Sequence, residues 1–403
     1  MAEKRAPQRL TPKQKAAKKR KTMIIFIIEI IALAAVIGFV VYGFNSGLFS
    51  GLFNATNSEI NTSMEMGTSS DGTFSSGDDV VYYNTEIVGN LDDNNEIVFA
   101  EDNAMSGYYQ IALFGVDSRS KNLSKGDNRS DTIIIACVDK KTHEVKLCSV
   151  YRDTYLNLGN DKYAKCNGAF AAGGATNAIS MLNMNLDLAI TDYVVVGFTG
   201  LVDIIDALGG VWIDVKENEI NHLNNYQISI VGKTTDNVTY TADEGKDYIA
   251  VKNPGYQLLN GLQATAYCRI RYVGSDWGRT ERQRTVIAAA IEQAKKMDTN
   301  TLLKIMNSDV FSEFSTSLDV GFITDVLTNL SSYEIVDSQG FPSMDMLTTG
   351  NIGSKGSCVV PVSLEKNVTW LHEMLFGDTG YDPSSAVKGY SVEIYNQTVD
   401  YLH

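Results

Sequence analysis

The stretch YCRIRYVGSDWGRTERQRTV, residues 267–286, contains five of the eleven arginines of the chain within sixteen positions. Three other arginines precede residue 23, and the remaining three are Arg119, Arg129 and Arg152. Lysines, by contrast, are scattered along the sequence. The planar guanidinium group of arginine can bind phosphate or carboxylate through two parallel hydrogen bonds. We therefore expect separate parts of the chain to converge on one polyanionic ligand.

The same stretch predicts two ways of presenting its arginines. Arg269 and Arg271 would share one face of an extended segment, because successive side chains of such a segment alternate. A helix is predicted over residues 279–296, and three of its side chains form one patch on its first turn: Arg279, Arg282 and Gln283. Cations at a helix N-terminus oppose the helix dipole unless an anion lies between them. An anion site is therefore favoured over a solvated basic face, whereas Arg284, nearer the apolar stripe, is predicted to be structural.

Polar side chains also stand where three apolar segments begin or end. Asp117 follows the first segment, Arg129 and Asp131 precede the second, and Arg152 and Asp153 follow the third. Ligands of α/β proteins bind at strand ends, so these side chains are expected to meet the arginines described above. Taken singly, each has the alternative interpretation of a turn residue or an exposed ion pair. The carboxylates of Asp117 and Asp131 would suit Mg²⁺, which binds carboxylate and phosphate oxygens.

Short apolar segments predict strands of a buried sheet at residues 109–116, 132–138, 145–151, 193–198 and 211–215. Helices are predicted at residues 171–186, 199–208, 261–268 and 279–296, with Thr199 as an N-cap. Residues 218–254 read as a polar excursion with a hairpin, residues 301–332 as two helical segments, residues 359–376 as a strand and a helix, and residues 390–395 as a late strand. Interleaved strands and helices indicate the α/β class, as an α-β-α sandwich around a central mixed sheet.

Five regions are predicted along the chain. Residues 1–22 carry a charge of +8, against −14 for the whole chain, and form a basic cytoplasmic tail. Residues 23–44 are apolar and long enough to cross a bilayer as a helix, so an uncleaved single-pass anchor in the cell membrane is favoured over a cleaved signal peptide. Residues 45–107 form an extracellular polar stalk, residues 108–376 the folded extracellular domain and residues 377–403 a C-terminal tail.

Composition and motifs exclude several function classes. The chain after residue 22 carries a charge of −22, which argues against a nucleic-acid-binding protein with a broad basic face. The sequence contains no GxxxxGK[ST] motif, no GxGxxG after a strand and no GxSxG motif, so nucleotide binding and serine hydrolysis are disfavoured. The five cysteines and four histidines lack the spacing of zinc ligands, and the cysteines are predicted to be small buried apolar residues.

Seven ordered motifs together resemble the LytR–CpsA–Psr family of cell-envelope phosphotransferases. They are FGVDSRS, RSDTIIIACVD, SVYRDTYLNL, KCNGAFAAGG, TDYVVVGFTGLVDIIDALGGVWIDV, GYQLLNGLQATAYCRIR and DWGRTERQR. The resemblance covers residues 108–296 and continues less distinctly to residue 376. Two positions depart from the pattern: Tyr151 stands where the family usually has proline, and Cys268 lies directly before Arg269.

The resemblance implies a transferase that takes a glycopolymer from a polyprenyl (undecaprenyl) pyrophosphate carrier in the membrane. It would transfer the glycosyl phosphate to peptidoglycan, at the C6 hydroxyl of N-acetylmuramic acid. By motif, Asp117 and Asp131 would hold Mg²⁺ or Mn²⁺. The pyrophosphate would be bound by Arg129, Arg152, Arg269, Arg271, Arg279, Arg282 and Gln283. Either Asp117 or Asp153 would deprotonate the acceptor. A lipid tunnel would be lined by residues such as Phe170, Ile179, Leu182, Phe198 and Val202.

Two other functions stay open beside the transferase. The protein would be a non-catalytic envelope sensor if it only bound an anionic lipid and signalled through its tail. It would be a pyrophosphatase if water replaced the peptidoglycan hydroxyl as the acceptor. The basic tail of 22 residues has no pattern typical of a signalling domain, which weakens the sensor interpretation.

Overall fold

A computed structural model of the chain describes residues 104–116, 123, 129–234, 240–308, 310 and 313–402. The predicted tail, the predicted membrane anchor and most of the predicted stalk lie outside the described residues, as does Asp117. Among the helices of the described residues, none is long and apolar enough to cross a membrane. The described folded body begins at Ala104.

The core of the described body is a mixed six-stranded sheet with the strand order β11-β6-β1-β2-β3-β12. Its strands are β1 (Tyr108–Val116), β2 (Ser130–Asp139), β3 (Glu144–Val150), β6 (Asp192–Val196), β11 (Phe314–Thr316) and β12 (Glu334–Phe341). Neighbouring strands pair in parallel at β1–β6 and β3–β12 and antiparallel at β1–β2, β2–β3 and β6–β11. The predicted mixed sheet is therefore confirmed. A hairpin turn between Asp139 and Glu144 joins β2 to β3.

Shorter strands form separate two-stranded sheets. They are β4 (Tyr155–Asn157) with β5 (Tyr163–Lys165), β7 (Val211–Val215) with β10 (Gly255–Leu259), β8 (Lys233–Thr234) with β9 (Tyr240–Thr241), and β13 (Leu347–Asn351) with β14 (Ser357–Pro361). The assignment of residues 211–215 to the main sheet was wrong. Strand β7 forms a two-stranded ribbon with β10, and its residues are alternately buried and exposed. Val211 and Ile213 pack on helices, whereas Trp212 is exposed.

The helices of the described body surround this sheet. They are α1 (Gly168–Leu186), α2 (Phe198–Ala207), α3 (Glu217–Val231), α4 (Gly261–Tyr267), α5 (Ser275–Ala294), α6 (Thr299–Met306), α7 (Val320–Thr328), α8 (Leu364–Phe376) and α9 (Ser385–Thr398). Helix α2 begins one residue before the predicted N-cap Thr199, because Gly197 takes the extended cap conformation. Helix α5 begins four residues before the predicted start at Arg279, with Gly274 as its N-cap.

Two predictions for the polar segments were wrong. Helix α3 (Glu217–Val231) was missed, although the hairpin predicted for residues 218–254 is present as the antiparallel strands β8 and β9. The few apolar residues of α3, including Ile220 and Leu223, form a narrow buried stripe. Residues 390–395 lie within helix α9 and not in a strand. Val387 and Ile394 of α9 belong to the main core, so the predicted C-terminal tail after residue 376 is part of the folded body.

The two faces of the sheet are covered by different helices, as the sandwich prediction requires. One face presents Phe114, Ile133 and Ile135, which pack against α1, α8 and α9. The other face presents Ile134 and Leu147, which pack against residues of α5 and α7 such as Ile287 and Phe322. Alternation along β2 explains this division, since successive side chains of a strand point to opposite faces. All five cysteines are buried, as predicted, and each is a free thiol.

One edge of the sheet collects the functional strand ends. Strands β1, β3, β6 and β12 end there, and the antiparallel strands β2 and β11 begin there, as the registers of their pairing show. This arrangement places Asp131, at the start of β2, beside Arg152 and Asp153, which follow β3. The sequence prediction that strand-end side chains meet is therefore confirmed for Asp131, Arg152 and Asp153.

The buried His372 makes the stability of this body depend on pH. Its ring stacks on Tyr381 with 3.5 Å between ring centroids, and its Nε2 lies 3.0 Å from the carbonyl oxygen of Leu186. Burial lowers the pKa of His372 from 6.5 to about 4. The unfolded chain therefore binds the proton more readily, and this stabilisation is complete above pH 6.5 and lost as the pH falls towards 4. We expect urea denaturation to show a loss of about 3 kcal/mol from this group.

The variant His372→Phe provides the control for this pH dependence. Phenylalanine can stack on Tyr381 but cannot take up a proton, so the unfolding free energy of the variant should fall less between neutral and acidic pH. An equal loss in both proteins would assign the pH dependence to other groups.

Candidate active site

A cavity of about 390 Å³ lies between the sheet and helices α2 to α5, and it reaches the functional edge of the sheet. Much of its wall is apolar and includes Leu113, Ile134, Val194, Leu201, Ile287 and Phe314. Its remaining wall carries charged and polar side chains, among them Asp131, Arg269, Arg271, Arg279 and Gln283. One cavity thus combines a cationic part with an apolar part, which suits an amphiphilic anion.

Asp131 joins two arginines that are far apart in the sequence. Arg152 donates from Nη1 to Oδ1 of Asp131 at 2.6 Å, and Arg271 donates from Nη2 to Oδ2 at 3.2 Å. Burial alone would lower the pKa of Arg152, but the attraction of Asp131 and Asp153 outweighs it and raises the pKa. The arginine stretch and the strand-end residues therefore form one charge network, as the sequence predicted.

The network continues from Arg152 to a lysine that sequence reasoning missed. Oδ2 of Asp153 lies 3.7 Å from Nε of Arg152, and Oδ1 of Asp153 lies 3.4 Å from Nζ of Lys165. Lys165 ends β5, which pairs with β4 directly after the Arg152–Asp153 turn. The only sequence signal for Lys165 was its position in the KCNGAFAAGG motif. Lys165 thus adds a second cation, beside Arg152, that contacts Asp153.

Arg279 is the most unusual side chain of the cavity. Only 2% of it is exposed, yet none of its three guanidinium nitrogens has a hydrogen-bond partner among the residues that the structure describes. Its nearest counter-charge is Oδ1 of Asp276, 3.4 Å from Nη2. Burial, reinforced by Arg271 and Arg152, lowers the pKa of Arg279 to about 10 even though Asp276 raises it. A buried cation without hydrogen-bond acceptors is costly, and a bound anion would supply those acceptors.

Other buried polar atoms around this cavity also lack a hydrogen-bond partner within the described part of the chain. They are Oε1 of Gln283, Oγ1 of Thr265 and Nε of Arg152. Gln283 was predicted as a ligand-binding residue, whereas Thr265 was not, because a threonine inside a mostly apolar helix gives no functional signal. Both Gln283 and Thr265 line the cavity. Buried polar atoms are rarely left unpaired, so these groups are free to bind a polar ligand or water.

Arg269 is held by two aromatic rings that also line the cavity. Its guanidinium carbon lies 4.3 Å from the ring centroid of Phe198 and 5.4 Å from that of Tyr226. Nη1 of Arg269 also lies 3.3 Å from the hydroxyl of Ser229. The prediction that Arg269 and Arg271 lie on one extended face was wrong, because both follow helix α4 in a turn. Both side chains nevertheless reach the cavity wall.

The hydrogen-bond donors of Arg282 are paired with acceptors of the protein itself. Its Nε donates to Oε1 of the buried Glu219 at 2.7 Å. Its two terminal nitrogens donate to the carbonyl oxygens of Ile270 and Val273 at 3.3 and 2.9 Å. Arg282 is not among the residues that line the cavity, so the structure does not bring it to the other predicted ligand residues. Its contacts fix the turn that carries Arg269 and Arg271.

The remaining predicted residues have diverse positions. Arg129 is exposed at the start of β2, and Asp117 lies outside the described residues. Of the five predicted tunnel residues, Phe198 lines the cavity. Phe170, Ile179 and Leu182 belong to α1 and the core of the opposite face, so their assignment to the tunnel was wrong. The apolar runs of α1 and α2 look alike in sequence, and only the sheet topology separates them.

Asp131 retains the capacity to bind a divalent cation. Each of its carboxylate oxygens accepts one arginine hydrogen bond, which leaves lone pairs for a metal or for water. Within the described ranges no group of three or more His, Cys, Asp or Glu side chains could hold a metal. A single carboxylate with phosphate oxygens and waters fits the usual coordination of Mg²⁺.

Comparison with known proteins places this site in a family. The model of the LytR_cpsA_psr family matches residues 80–367. Biofilm regulatory protein A of Streptococcus mutans is 29% identical over 316 residues, 70% of this chain and 73% of that protein. The polyisoprenyl-teichoic acid–peptidoglycan teichoic acid transferase TagT of Bacillus subtilis is 28% identical over 239 residues, 58% of this chain and 68% of that protein.

A solved structure supports the same fold. The LytR-CPS2A-psr family protein YwtF (TagT) with bound octaprenyl pyrophosphate lipid superposes with a TM-score of 0.50 at 19% identity. The match covers 70% of this chain and 95% of that chain. At this identity the likeness establishes the fold alone.

Proposed function

The chain belongs to the LytR–CpsA–Psr family, and we propose that it transfers a glycopolymer from a polyprenyl pyrophosphate carrier to peptidoglycan. The observation that carries this proposal is the buried guanidinium of Arg279, which has no hydrogen-bond partner among the described residues and lies in a cavity with a largely apolar wall. A pyrophosphate would satisfy the guanidinium, and a polyprenyl chain would fill the apolar part. The name of the related TagT describes the same transfer.

The proposed reaction exchanges one phosphorus–oxygen bond for another. An acceptor hydroxyl attacks the phosphorus that carries the glycopolymer, and the bond from this phosphorus to the bridging oxygen breaks. Polyprenyl phosphate leaves with the bridging oxygen and its electron pair, and the hydroxyl proton passes to a base. Either Asp117 or Asp153 remains the candidate base, as the sequence left open. The products are polyprenyl phosphate and a glycopolymer joined to peptidoglycan through a phosphodiester.

The charged side chains of the site would have different roles in this reaction. Arg279 would bind the pyrophosphate oxygens, while Arg269 and Arg271 would stabilise the charge that develops on the leaving phosphate. The aromatic rings around Arg269 restrict its guanidinium to one orientation before the substrate arrives. Asp131 would hold Mg²⁺ or Mn²⁺, which neutralises phosphate charge when bound. Asp117 is proposed as the second carboxylate ligand.

The proposed site of action is the outer face of the cell membrane. The basic tail of residues 1–22 and the apolar residues 23–44 support an anchor with its N-terminus in the cytoplasm. An anchor would keep the cavity near membrane-bound substrate, which we propose to be an undecaprenyl pyrophosphate glycolipid. The acidic composition after residue 22 gives no support to a nucleic-acid partner.

A reconstituted transfer assay tests the proposed function. Full-length protein is given a polyprenyl-pyrophosphate-linked glycan, Mg²⁺ and a peptidoglycan oligomer, and products are separated by mass. Covalent attachment is expected, and chelation of the metal should abolish it. Lipid binding without turnover would favour a regulator, a role that the name of Biofilm regulatory protein A suggests for that relative. Release of free phosphoglycan would favour the pyrophosphatase.

The Arg269→Lys variant sharpens this assay. A lysine keeps the charge but cannot make the planar fork of two hydrogen bonds, and it cannot keep the same stacking between Phe198 and Tyr226. We expect kcat/KM for the glycolipid to fall at least about tenfold, equivalent to a loss of ~1.4 kcal/mol of transition-state stabilisation. The exposed Lys141→Arg exchange on the opposite edge is the matched control. Near-normal transfer by Arg269→Lys would remove Arg269 from the site.

A further inference from the structure

A second cavity, of about 480 Å³, lies beside strand β12 and helix α8. We call it the β12 groove and define it by Asp337, Gln339, Met344, Asp345, Trp370 and Glu373. It contains an aromatic ring, several hydrogen-bond acceptors and no lysine or arginine. None of its residues belongs to the cavity that holds Arg279, so it is a separate site on the described body.

The β12 groove adjoins the active site at the functional edge of the sheet. Strands β3 and β12 are parallel neighbours, and Phe341 is paired with Val150. Arg152 and Asp153 follow β3, while Met344 and Asp345 follow β12. Side chains that follow the ends of adjacent parallel strands lie near one another. The groove is therefore next to the charge network along the sheet edge.

Tyr151 forms the physical boundary between the two sites. Its ring meets Trp277 of α5 edge-to-face at 4.2 Å between centroids, and its hydroxyl lies 3.6 Å from the sulfur of Met344 in the groove. Gly340 makes this position possible, because a Cβ there would overlap the Tyr151 hydroxyl. The Tyr151 N–H also donates to the Phe341 carbonyl oxygen at 3.0 Å, a bond that proline could not make.

The two cavities approach this edge from opposite faces of the sheet. Ile134 and Ile287 of the first cavity belong to the core of one face. Trp370 and Met374 of the β12 groove pack on the core of the other face. In phosphoryl transfer the attacking and leaving oxygens lie roughly in line, on opposite sides of phosphorus. A leaving polyprenyl phosphate in the first cavity would place the acceptor on the side of the groove.

The walls of the groove are fixed by hydrogen bonds to the fold. The buried Asn367 accepts from the Ser343 N–H at 2.9 Å and donates to the Met346 carbonyl oxygen at 3.0 Å. On the strand, Oδ1 of Asp337 accepts from Nε2 of Gln339 at 3.0 Å. The loop and the strand side chains are thus held in place before any ligand binds, which lowers the entropic cost of binding.

We propose that the β12 groove binds the glycan strand of the acceptor, next to the sugar whose hydroxyl reacts; this inference rests on the proposed transfer to peptidoglycan. Trp370 offers an apolar face to a sugar ring, and the carboxylates and amide accept hydrogen bonds from hydroxyl and amine groups. The reacting sugar would lie beyond Met344, at the edge occupied by Tyr151 and Arg152.

The charge of the groove distinguishes the acceptor from the donor. Asp337, Asp345 and Glu373 give it a negative potential without a compensating cation among its wall residues. A phosphate-rich polymer of the teichoic acid type would be repelled there, because like charges brought together cost free energy. The amine groups on the peptides of a peptidoglycan strand would be attracted by these carboxylates. The groove therefore suits the acceptor glycan and opposes an anionic donor chain.

A binding experiment that needs no turnover tests this inference. Full-length protein is titrated with a purified peptidoglycan tetrasaccharide that carries amine-bearing peptides, and heat release gives the dissociation constant. The Trp370→Ala variant should raise this constant by at least about tenfold, as expected for loss of a central aromatic anchor. The Glu373→Gln variant should weaken binding of the amine-bearing fragment more than that of its N-acetylated form. Both variants should bind the polyprenyl pyrophosphate glycolipid normally.

Two matched controls locate the effect. Trp212→Ala removes an exposed tryptophan of β7, and Glu334→Gln removes a carboxylate from the far end of β12; neither residue lines the groove. Both should bind the tetrasaccharide as the parent does. Unchanged tetrasaccharide binding by Trp370→Ala, or stronger binding of a free anionic glycopolymer than of the tetrasaccharide, would overturn the inference. If the parent protein bound the tetrasaccharide but did not transfer the glycopolymer to it, the proposed function would be contradicted. The assignment of the groove as a glycan-binding site would still hold.

Discussion

Replacing Arg279 with methionine is expected to stabilise the ligand-free protein while abolishing pyrophosphate binding. The guanidinium is 2% exposed and has no hydrogen-bond partner in the described ranges of the chain, so the folded state bears its desolvation cost. Methionine fills part of the same space without a charge. We expect the free energy of unfolding in urea to rise by about 1–3 kcal/mol, the usual cost of a buried unsatisfied group.

The same Arg279→Met variant should lose its response to ligand. A ligand at one hundred times its dissociation constant stabilises the parent protein by about 2.7 kcal/mol. We expect polyprenyl pyrophosphate to raise the unfolding free energy of the parent and to leave that of the variant unchanged. The Arg271→Met variant is a useful control, because Arg271 lines the same cavity but its side chain is 40% exposed. It should weaken binding without a comparable gain in stability.

A destabilised Arg279→Met protein would contradict this account. A loss of stability would mean that the pair with Asp276, at 3.4 Å, outweighs the missing hydrogen bonds. Arg279 would then be a structural residue, and the proposed anion site would lose its main support. Retained ligand stabilisation in the variant would lead to the same conclusion.

Replacing Arg282 with methionine is expected to have the opposite effect on stability. Arg282 lies one helical turn after Arg279, but its Nε is paired at 2.7 Å with Glu219, which is 1% exposed. Removal of the arginine leaves a buried carboxylate without its counter-ion, and two carbonyl oxygens of the turn lose their donor. We expect the free energy of unfolding to fall by about 3–5 kcal/mol.

A second substitution separates the ion pair from the other contacts of Arg282. In the double variant Arg282→Met with Glu219→Gln, no charge is left unpaired, and stability should partly recover. The Glu219 side chain also accepts from the Lys216 N–H at 2.9 Å, a bond that glutamine can keep. A stable Arg282→Met variant that fails to bind pyrophosphate would show that Arg282 contacts the ligand, as the sequence predicted.

Arg279 and Arg282 differ in their partners, and the sequence alone could not predict this difference. Both fall on one patch of helix α5, and periodicity assigned them the same role. Their partners come from elsewhere: Glu219 lies on α3, in a segment that the sequence had presented as a polar excursion. Because the helix containing Glu219 was not predicted, no pattern could indicate which arginine would be neutralised inside the protein.

The main sheet was predictable for a simple physical reason. Segments such as β2 and β3 are rich in β-branched residues because both of their faces are covered, and that composition is visible locally. Helix α9 was not visible in this way. Its buried residues Val387 and Ile394 are seven positions apart, as in a helix. Tyr390, the exposed Val392 and Ile394 stand at every second position, which imitates the alternation of a strand.

The site was predictable as a set of residue types but not as a geometry. Arg152, Asp131 and Arg271 were expected to converge because each stood at a strand end or in the arginine stretch, and they do. Lys165 and Thr265 were missed, since a single lysine or threonine carries no pattern of its own. Their roles depend on neighbours brought close by β5 and α4.

Because the functional groups lie at one edge of the sheet, a probe can be attached at the opposite edge without touching them. The β2–β3 turn at that far edge presents exposed Lys140 and Lys141. Since all five native cysteines are buried, a cysteine introduced at position 141 would be the thiol most accessible to a maleimide dye. A fluorophore attached there would report the rotational diffusion of the protein and would leave both cavities unobstructed.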